Sequence, residues 1–343
     1  MAVTAVGLKT HIYNNNVKSI LLLSSFPLLI LGMVFVFYLI LHLIAYADDP
    51  AFSGWDKTAG SWESMLAAAP YILPFIGIWF IIAYFFHSKI IHKTSGSINI
   101  DRKTYPKIYN MLENLCISRG MAVPQFRIID SPALNAFASG LNDKTYAITL
   151  TRGIIEALED EELEAVIAHE LSHIINKDVR LLVVSVIFVG IISFLAQLAF
   201  RMIIGGGRRS HYIPSSGSRK GGGQLIILLI ALAVLVVGYI FALLIRFSLS
   251  KKREFLADAG AIELTKNPQA MMQALMRISG HDEVQDMPNE IQQMCIENSH
   301  SFMGMFATHP PIDKRIKTIS EMTGTPVPTL PVSLKRPPKR PWG

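Results

Sequence analysis

The chain has 343 residues, of which 51% are hydrophobic and only 17% charged, against roughly 25% charged in soluble domains. That deficit means apolar surface meets something other than a protein core, and lipid is the natural candidate. The formal net charge is +6, but the basic residues flank apolar runs and fill the C-terminal tail, with no zinc-finger, RRM or homeodomain pattern. The charge therefore points to an anionic membrane surface rather than nucleic acid.

In chain order, residues 1–18 form a basic N-terminal segment and residues 19–87 an apolar helix pair. The first run, 19–46, carries no full charge and exceeds the roughly 20 residues that cross about 30 Å of hydrocarbon. A cleaved signal peptide is the alternative. The run is too long for one and lacks an A-x-A-like site. The second run covers 65–87, with Pro70 and Pro74 near its start, where a helix tolerates them best. The loop between the runs holds Asp48, Asp49, Asp56 and Glu63 against one Lys57, while Lys9, Lys18, Lys89 and Lys93 lie outside it. The positive-inside rule places both flanks in the cytoplasm.

Residues 88–180 lack a spanning run. Tyr105, Ile108, Tyr109, Leu112, Leu115 and Cys116 recur at helical spacing, and Gly120 ends that helix. Gln125–Asp130 and Thr145–Leu150 read as strands, with Asn142-Asp143 as turn material between them. Glu161–Lys177 reads as a helix capped by Asp160, with Leu163, Val166, Ile167, Leu171 and Ile174 as its apolar face. Cys116 and Cys295 form no CxxC pair and read as ordinary buried thiols on a reducing side of the membrane.

A second apolar hairpin occupies 181–247, with runs at 181–204 and 225–247 around a Gly/Ser-rich loop. If both runs cross, Arg208, Arg209, Arg219 and Lys220 lie outside, against the positive-inside rule. The hairpin is thus either spanning or only partly inserted. Residues 248–324 are again soluble and helical, and 325–343 form a Pro-rich basic tail expected to be extended.

His169-Glu170-Leu171-Ser172-His173 fits HExxH on a helix. Four residues are about one turn, so both imidazoles share a face and can grip one Zn²⁺, while Glu170 can take a proton from water at the metal. A chance match or a structural histidine pair is the plain alternative. A catalytic zinc wants three protein ligands and one open position. Position 176 is Asn and 179 is Val, which excludes the HExxHxxGxxH pattern. His173 lies eight residues before Leu181 and Glu254 seven after Phe247, so antiparallel pairing of the two runs sets both about 11–12 Å beyond the same membrane face at 1.5 Å per residue. Glu254 is the expected third ligand. Asp258, one turn later, is placed to accept the free imidazole N–H of a histidine ligand. The competing reading of Glu254 and Asp258 is a solvated face paired with Lys251, Lys252 and Arg253.

Taken together, HELSHIINKD, KREFLADAGA and FATHPPIDKRI resemble the HtpX-like integral-membrane zinc metalloproteases, whose wider family includes the CAAX prenyl endopeptidases. The likeness runs from the first helix pair to about Ile319. It implies one Zn²⁺ per chain held by His169, His173 and Glu254, with Glu170 as general base and Asp258 as the aspartate of the ExxxD motif. It also implies a bacterial inner-membrane, multi-pass protease of quality control and stress response, active at the cytoplasmic face. The expected fold is mainly α with a small β-hairpin or sheet: four apolar membrane helices plus a gluzincin-like protease domain.

Residues 131–150 share in the likeness. Asn135 to Gly140 reads either as an edge strand that adds an extended substrate, with Asn135 bonding its backbone, or as a plain hairpin loop. His309 reads either as a donor to the oxyanion of the tetrahedral intermediate or as a surface histidine ahead of a Pro-initiated helix. The expected partners are protein or peptide substrates, membrane proteins among them, and the bilayer. Two rivals stand beside a metal-dependent endopeptidase. One is a CAAX-type prenyl endopeptidase, for which four spans make a small chamber. The other is an inactive membrane scaffold with a zinc site, against which Glu170 argues because a structural site needs no base.

Overall fold

The computed structural model describes residues 8–47, 49, 51, 53–180, 220–247, 251–279 and 310–329, with short pieces between 183 and 201. It divides into two compact units: residues 1–19, 86–184 and 246–343 form one, residues 20–85 and 185–245 the other.

The second unit takes in most of the apolar helices. Helix α1 spans Leu8–Ala45 and α2 Gly54–Thr94; α6 spans Lys220–Phe247. Both α1 and α2 outrun the expected bounds, because nothing in the polar flanks stops a helix once the apolar run has nucleated it. At 1.5 Å per residue the 41 residues of α2 measure about 60 Å, roughly twice the hydrocarbon thickness. Pro70 and Pro74 consequently lie in the interior of α2 rather than near its start. Membrane helices tolerate this where neighbouring groups satisfy the freed carbonyls.

Of the four expected membrane helices, two pass as spans among the described residues. The most apolar window of the first is 0% buried and that of α2 11% buried, which excludes the core helix of a soluble protein. Trp55, Tyr71 and Phe85 stand exposed along α2. The apolar stretch described in α6, Ile226–Phe241, is shorter than a span, and most of the run 181–204 lies outside the described residues. Within the unit, α1 meets α2 where Ser61 Oγ lies 3.3 Å from His42 Nδ1 and Phe35 packs edge-on to Trp62.

The first unit is built on a four-stranded sheet in the order β1-β2-β4-β3. Its strands are β1 (Ile98–Asn99), β2 (Gln125–Ile129), β3 (Ala136–Ser139) and β4 (Ala147–Thr151). β2 and β4 do not form a hairpin with each other; they pair in parallel, Ile128 opposite Leu150. The hairpin is β3–β4, with Ala136 opposite Leu150. Its turn starts at Gly140, whose φ is +113° and where a Cβ would stand 2.4 Å from the Thr145 carbonyl oxygen. Only glycine fits there. β3 pairs on one side, with β4, so Asn135–Gly140 encloses an edge strand. It is still buried throughout, because α5 packs beside it.

The helices of this unit are α3 (Pro106–Ser118), α4 (Arg152–Ala157), α5 (Asp160–Ile175), α7 (Lys251–Thr265), α8 (Pro268–Ile278) and α9 (Ile312–Thr323). α5 lies against α7, α8 and β3. It is not a one-faced amphipathic helix: from Leu163 to His173 all but Glu164 are buried, the histidines and Glu170 included. Its N-cap is Glu159, not Asp160. The Glu162 carboxylate accepts from the Glu159 amide at 2.9 Å and from the buried Arg277 guanidinium of α8 at 2.8 Å. A buried charge pair of this kind fixes where α5 starts. The helix ends at Ile175, two residues before the expected Lys177. Lys177 itself takes a left-handed φ of +58° and turns the chain.

Candidate metal centre

α5 carries His169, Glu170 and His173; α7 carries Glu254 and Asp258; α9 carries Arg315. The ring and carboxylate atoms that His169, His173 and Glu254 offer all lie within 4.8 Å of one another, and all three residues are buried. Nε2 of His169 stands 3.6 Å from Glu254 Oε2, and Nε2 of His173 stands 3.6 Å from Oε1. Ligands bound tetrahedrally at roughly 2.0–2.1 Å are separated by about 3.3–3.4 Å, so the three donors converge as a zinc site requires. The rings meet edge to face, with centroids 4.8 Å apart. Nε2 of His169 is buried with no hydrogen-bond partner among the described residues. Such an atom is costly to leave bare, and a cation bound by the three donors would satisfy it. The donor set of two histidines and a carboxylate is that of a catalytic zinc with an open fourth position.

The outer nitrogens are held from behind. Asp258 Oδ1 lies 3.0 Å from His169 Nδ1. Arg315, fully buried, clamps Asp258 with two bonds, Nη2 to Oδ1 at 2.6 Å and Nε to Oδ2 at 3.0 Å, and its Nη1 reaches to 3.7 Å from Glu254 Oε2. Asp178 Oδ2 lies 3.3 Å from His173 Nδ1, and Arg253 Nε lies 3.5 Å from Asp178 Oδ1. When ionised, the three buried carboxylates Asp178, Glu254 and Asp258 face two guanidiniums, Arg253 and Arg315, which leaves a negative charge for a cation to balance.

Proton affinities tell the same story. Burial works to lower the pKa of His169, but the Asp258 carboxylate bonded at Nδ1 and the nearby Glu254 carboxylate outweigh it and raise the pKa from 6.5 to about 9. Burial also opposes the charged form of His173, yet Glu254 and Asp178 raise its pKa. Against its own burial, Asp258 is held below the usual carboxylate range, chiefly by Arg315 and by its hydrogen bond to His169. Without a metal the pocket collects protons, as a site shaped for positive charge does.

The structure brings His169, His173, Glu254 and Asp258 together, and Glu170 lies buried next to His169 on α5. It corrects the solvated-face reading of α7: Glu254, Asp258 and Arg253 are all buried. Asn135 is buried at the entry to β3, where its Oδ1 accepts from the Ala136 amide at 2.9 Å and its backbone N–H donates to Thr151 Oγ1 at 3.0 Å. His309 lies outside the described residues. Sequence reasoning missed Asp178, Arg253 and Arg315 as parts of the site. Asp178 and Arg315 stand in the very segments HELSHIINKD and FATHPPIDKRI that carry the resemblance, which was the available signal.

An HExxH pair on one buried helix, a carboxylate from a second helix closing on it, and two apolar helices of membrane length define the class of membrane metalloproteases. Within it, the chain belongs to Peptidase family M48, whose sequence model matches residues 102–323. It is 43% identical over 325 residues to a protein named "Protease HtpX homolog" from Bacteroides fragilis (strain YCH46), covering 92% of this chain and 99% of that one. A protein of the same name from Streptococcus pneumoniae (strain Hungary19A-6) is 34% identical over 295 residues, 84% of this chain and 95% of its own. A weaker likeness, with TM-score 0.46 and 16% identity, extends to the crystal structure of S. mikatae Ste24p over 90% of this chain and 66% of that chain.

Proposed function

We propose that this membrane metalloprotease is a zinc-dependent endopeptidase, with His169, His173 and Glu254 as metal ligands and Glu170 as general base. The observation that carries the reading is the convergence of three buried donors within 4.8 Å, one of them the His169 Nε2 that has no hydrogen-bond partner among the described residues.

Zinc, when bound, supplies a Lewis acid for the scissile carbonyl and lowers the pKa of water toward about 7. Glu170, buried beside His169 on α5, takes the proton of the attacking water and delivers it to the leaving amine. Asp258 orients His169 through Nδ1. An extended substrate adds to the outer edge of β3, the side on which it pairs with no strand, with Asn135 at the start of that edge bonding its backbone. His309, ahead of α9, donates to the oxyanion.

The substrates are proteins, membrane proteins with exposed cytoplasmic segments among them, and the role is quality control in a bacterial inner membrane. Two features support this: the basic flanks around an acidic loop, which by the positive-inside rule favour the cytoplasm for the protease segments, and a site about 11 Å along the chain from an apolar run, at 1.5 Å per residue. Zinc content by elemental analysis, with casein cleavage before and after chelation, tests the reading. One zinc per chain, with cleavage lost on chelation and restored by zinc, is the expected outcome. Cleavage indifferent to chelation overturns it.

A further inference from the structure

His169 and His173 are held in two similar ways, only one of which falls in the HExxH and ExxxD pattern. Behind His169 stands Asp258, clamped by buried Arg315. Behind His173 stands Asp178, with buried Arg253 on its other oxygen. In each case a carboxylate gives the imidazole Nδ1 an acceptor and is itself neutralised by a guanidinium from a different helix.

The second arrangement depends on a special backbone. In an unbroken helix, residue 178 would sit about 140° round the axis from His173, at 3.6 residues per turn, and its carboxylate would point away. The helix instead stops at Ile175, and Lys177 takes φ +58°, a conformation uncommon for a residue with a side chain. The turn brings Asp178 back under the His173 ring, where it is 1% exposed. Arg253 comes from the first turn of α7, next to Glu254. Its Nη1 and Nη2 are buried without a hydrogen-bond partner among the described residues, so among these residues its ion pair is with Asp178. A strained residue and a desolvated guanidinium are both held in order to place one carboxylate.

We infer that Asp178, anchored by Arg253, is a positioning residue for the metal site: it fixes His173 with its proton on Nδ1 and its Nε2 lone pair toward the zinc. The inference rests on the metal-centre reading above. A carboxylate behind a histidine ligand sets the tautomer, orients the ring and raises its basicity; its loss costs about 10–100-fold in metal affinity. Arg253 acts through Asp178, holding its carboxylate turned toward the ring. The pair also joins two stretches of this unit that lie far apart in the chain.

The test is zinc affinity of the full-length chain in detergent, measured by competition with a chromophoric chelator, alongside the unfolding midpoint of the metal-free protein. Asp178→Asn leaves Arg253 buried without its counter-charge and is expected to lower both. Asp178→Asn combined with Arg253→Met removes the orphaned charge, so the metal-free midpoint recovers. Zinc affinity is expected to stay about 10–100-fold weak, because His173 still lacks its carboxylate, and the visible bands of a cobalt-substituted sample should differ from those of the parent. Recovery of zinc affinity together with the midpoint in the double variant would make the pair merely structural and overturn the inference. So would unchanged zinc affinity in Asp178→Asn while Glu254→Ala abolishes binding, and in that case the metal-centre reading survives. A parent protein that binds no zinc, or a Glu254→Ala variant that binds it fully, sinks the metal-centre reading and this inference with it.

Discussion

Gly260 of α7 lies directly against Ser172 of α5: a methyl group on Gly260 would stand 2.6 Å from Ser172 Oγ and 2.9 Å from its Cβ. Ser172 cannot easily yield, because its hydroxyl is bonded back to the Ala168 carbonyl at 2.8 Å. The two helices that carry the candidate metal donors therefore touch where Gly260, two positions after Asp258, meets Ser172, one position before His173. Gly260→Ala is expected to destabilise the chain by about 1–3 kcal/mol, the usual range for overpacking, and to weaken zinc binding by moving Glu254 away from the histidines. Unfolding midpoints with and without zinc measure both effects. A variant with parental zinc affinity would show that the contact does not set the Glu254–His distance.

Glu170→Ala and Glu170→Gln should keep their zinc and lose proteolysis. Glu170 takes no part in the three-donor cluster, and a general base contributes about 10²–10⁴-fold in rate. His173→Ala and Glu254→Ala should each lose zinc, since each removes one of three donors. Elemental analysis beside casein cleavage separates the two classes. Loss of zinc from Glu170→Ala would move that residue into the coordination sphere.

Metal binding should release protons and strengthen with pH. His169 holds its proton up to about pH 9 in the metal-free pocket, and a ligand must be neutral to bind. Affinity is thus expected to rise steadily from neutral pH and level off above about 9. Stability of the chelated protein runs the other way. A folded-state pKa raised above the ordinary 6.5 contributes stability that is complete below 6.5 and lost as pH rises through about 9. Zinc titration in two buffers of different ionisation enthalpy reads the protons released; heats that do not depend on the buffer near neutral pH would contradict the prediction.

Reporter fusions near residues 100 and 330 are expected to report the cytoplasm, from the Lys-rich flanks around the acidic loop between α1 and α2. A periplasmic signal at residue 100 overturns the orientation. A periplasmic signal at 330 alone means the segment 181–247 crosses once rather than twice or not at all.

Local pattern determined much of this protein by itself. Spacing at i, i+4 set His169 and His173 on one helical face, and the distances of His173 and Glu254 from their apolar runs pointed to each other before any fold was known. Uninterrupted apolar length announced α1 and α2 in the same way. These are short-range properties, governed by helical geometry and by the thickness of a bilayer. Only the tertiary structure decided what stands behind the two histidines. Asp178 reaches His173 because one lysine breaks the helix with a positive φ, and Arg315 reaches Asp258 from 57 residues away. The parallel pairing of β2 with β4 likewise depends on β3 taking the outer edge. A buried charge is stable only beside its partner, and which partner arrives is settled by how whole helices pack, not by the residues next to it in the chain.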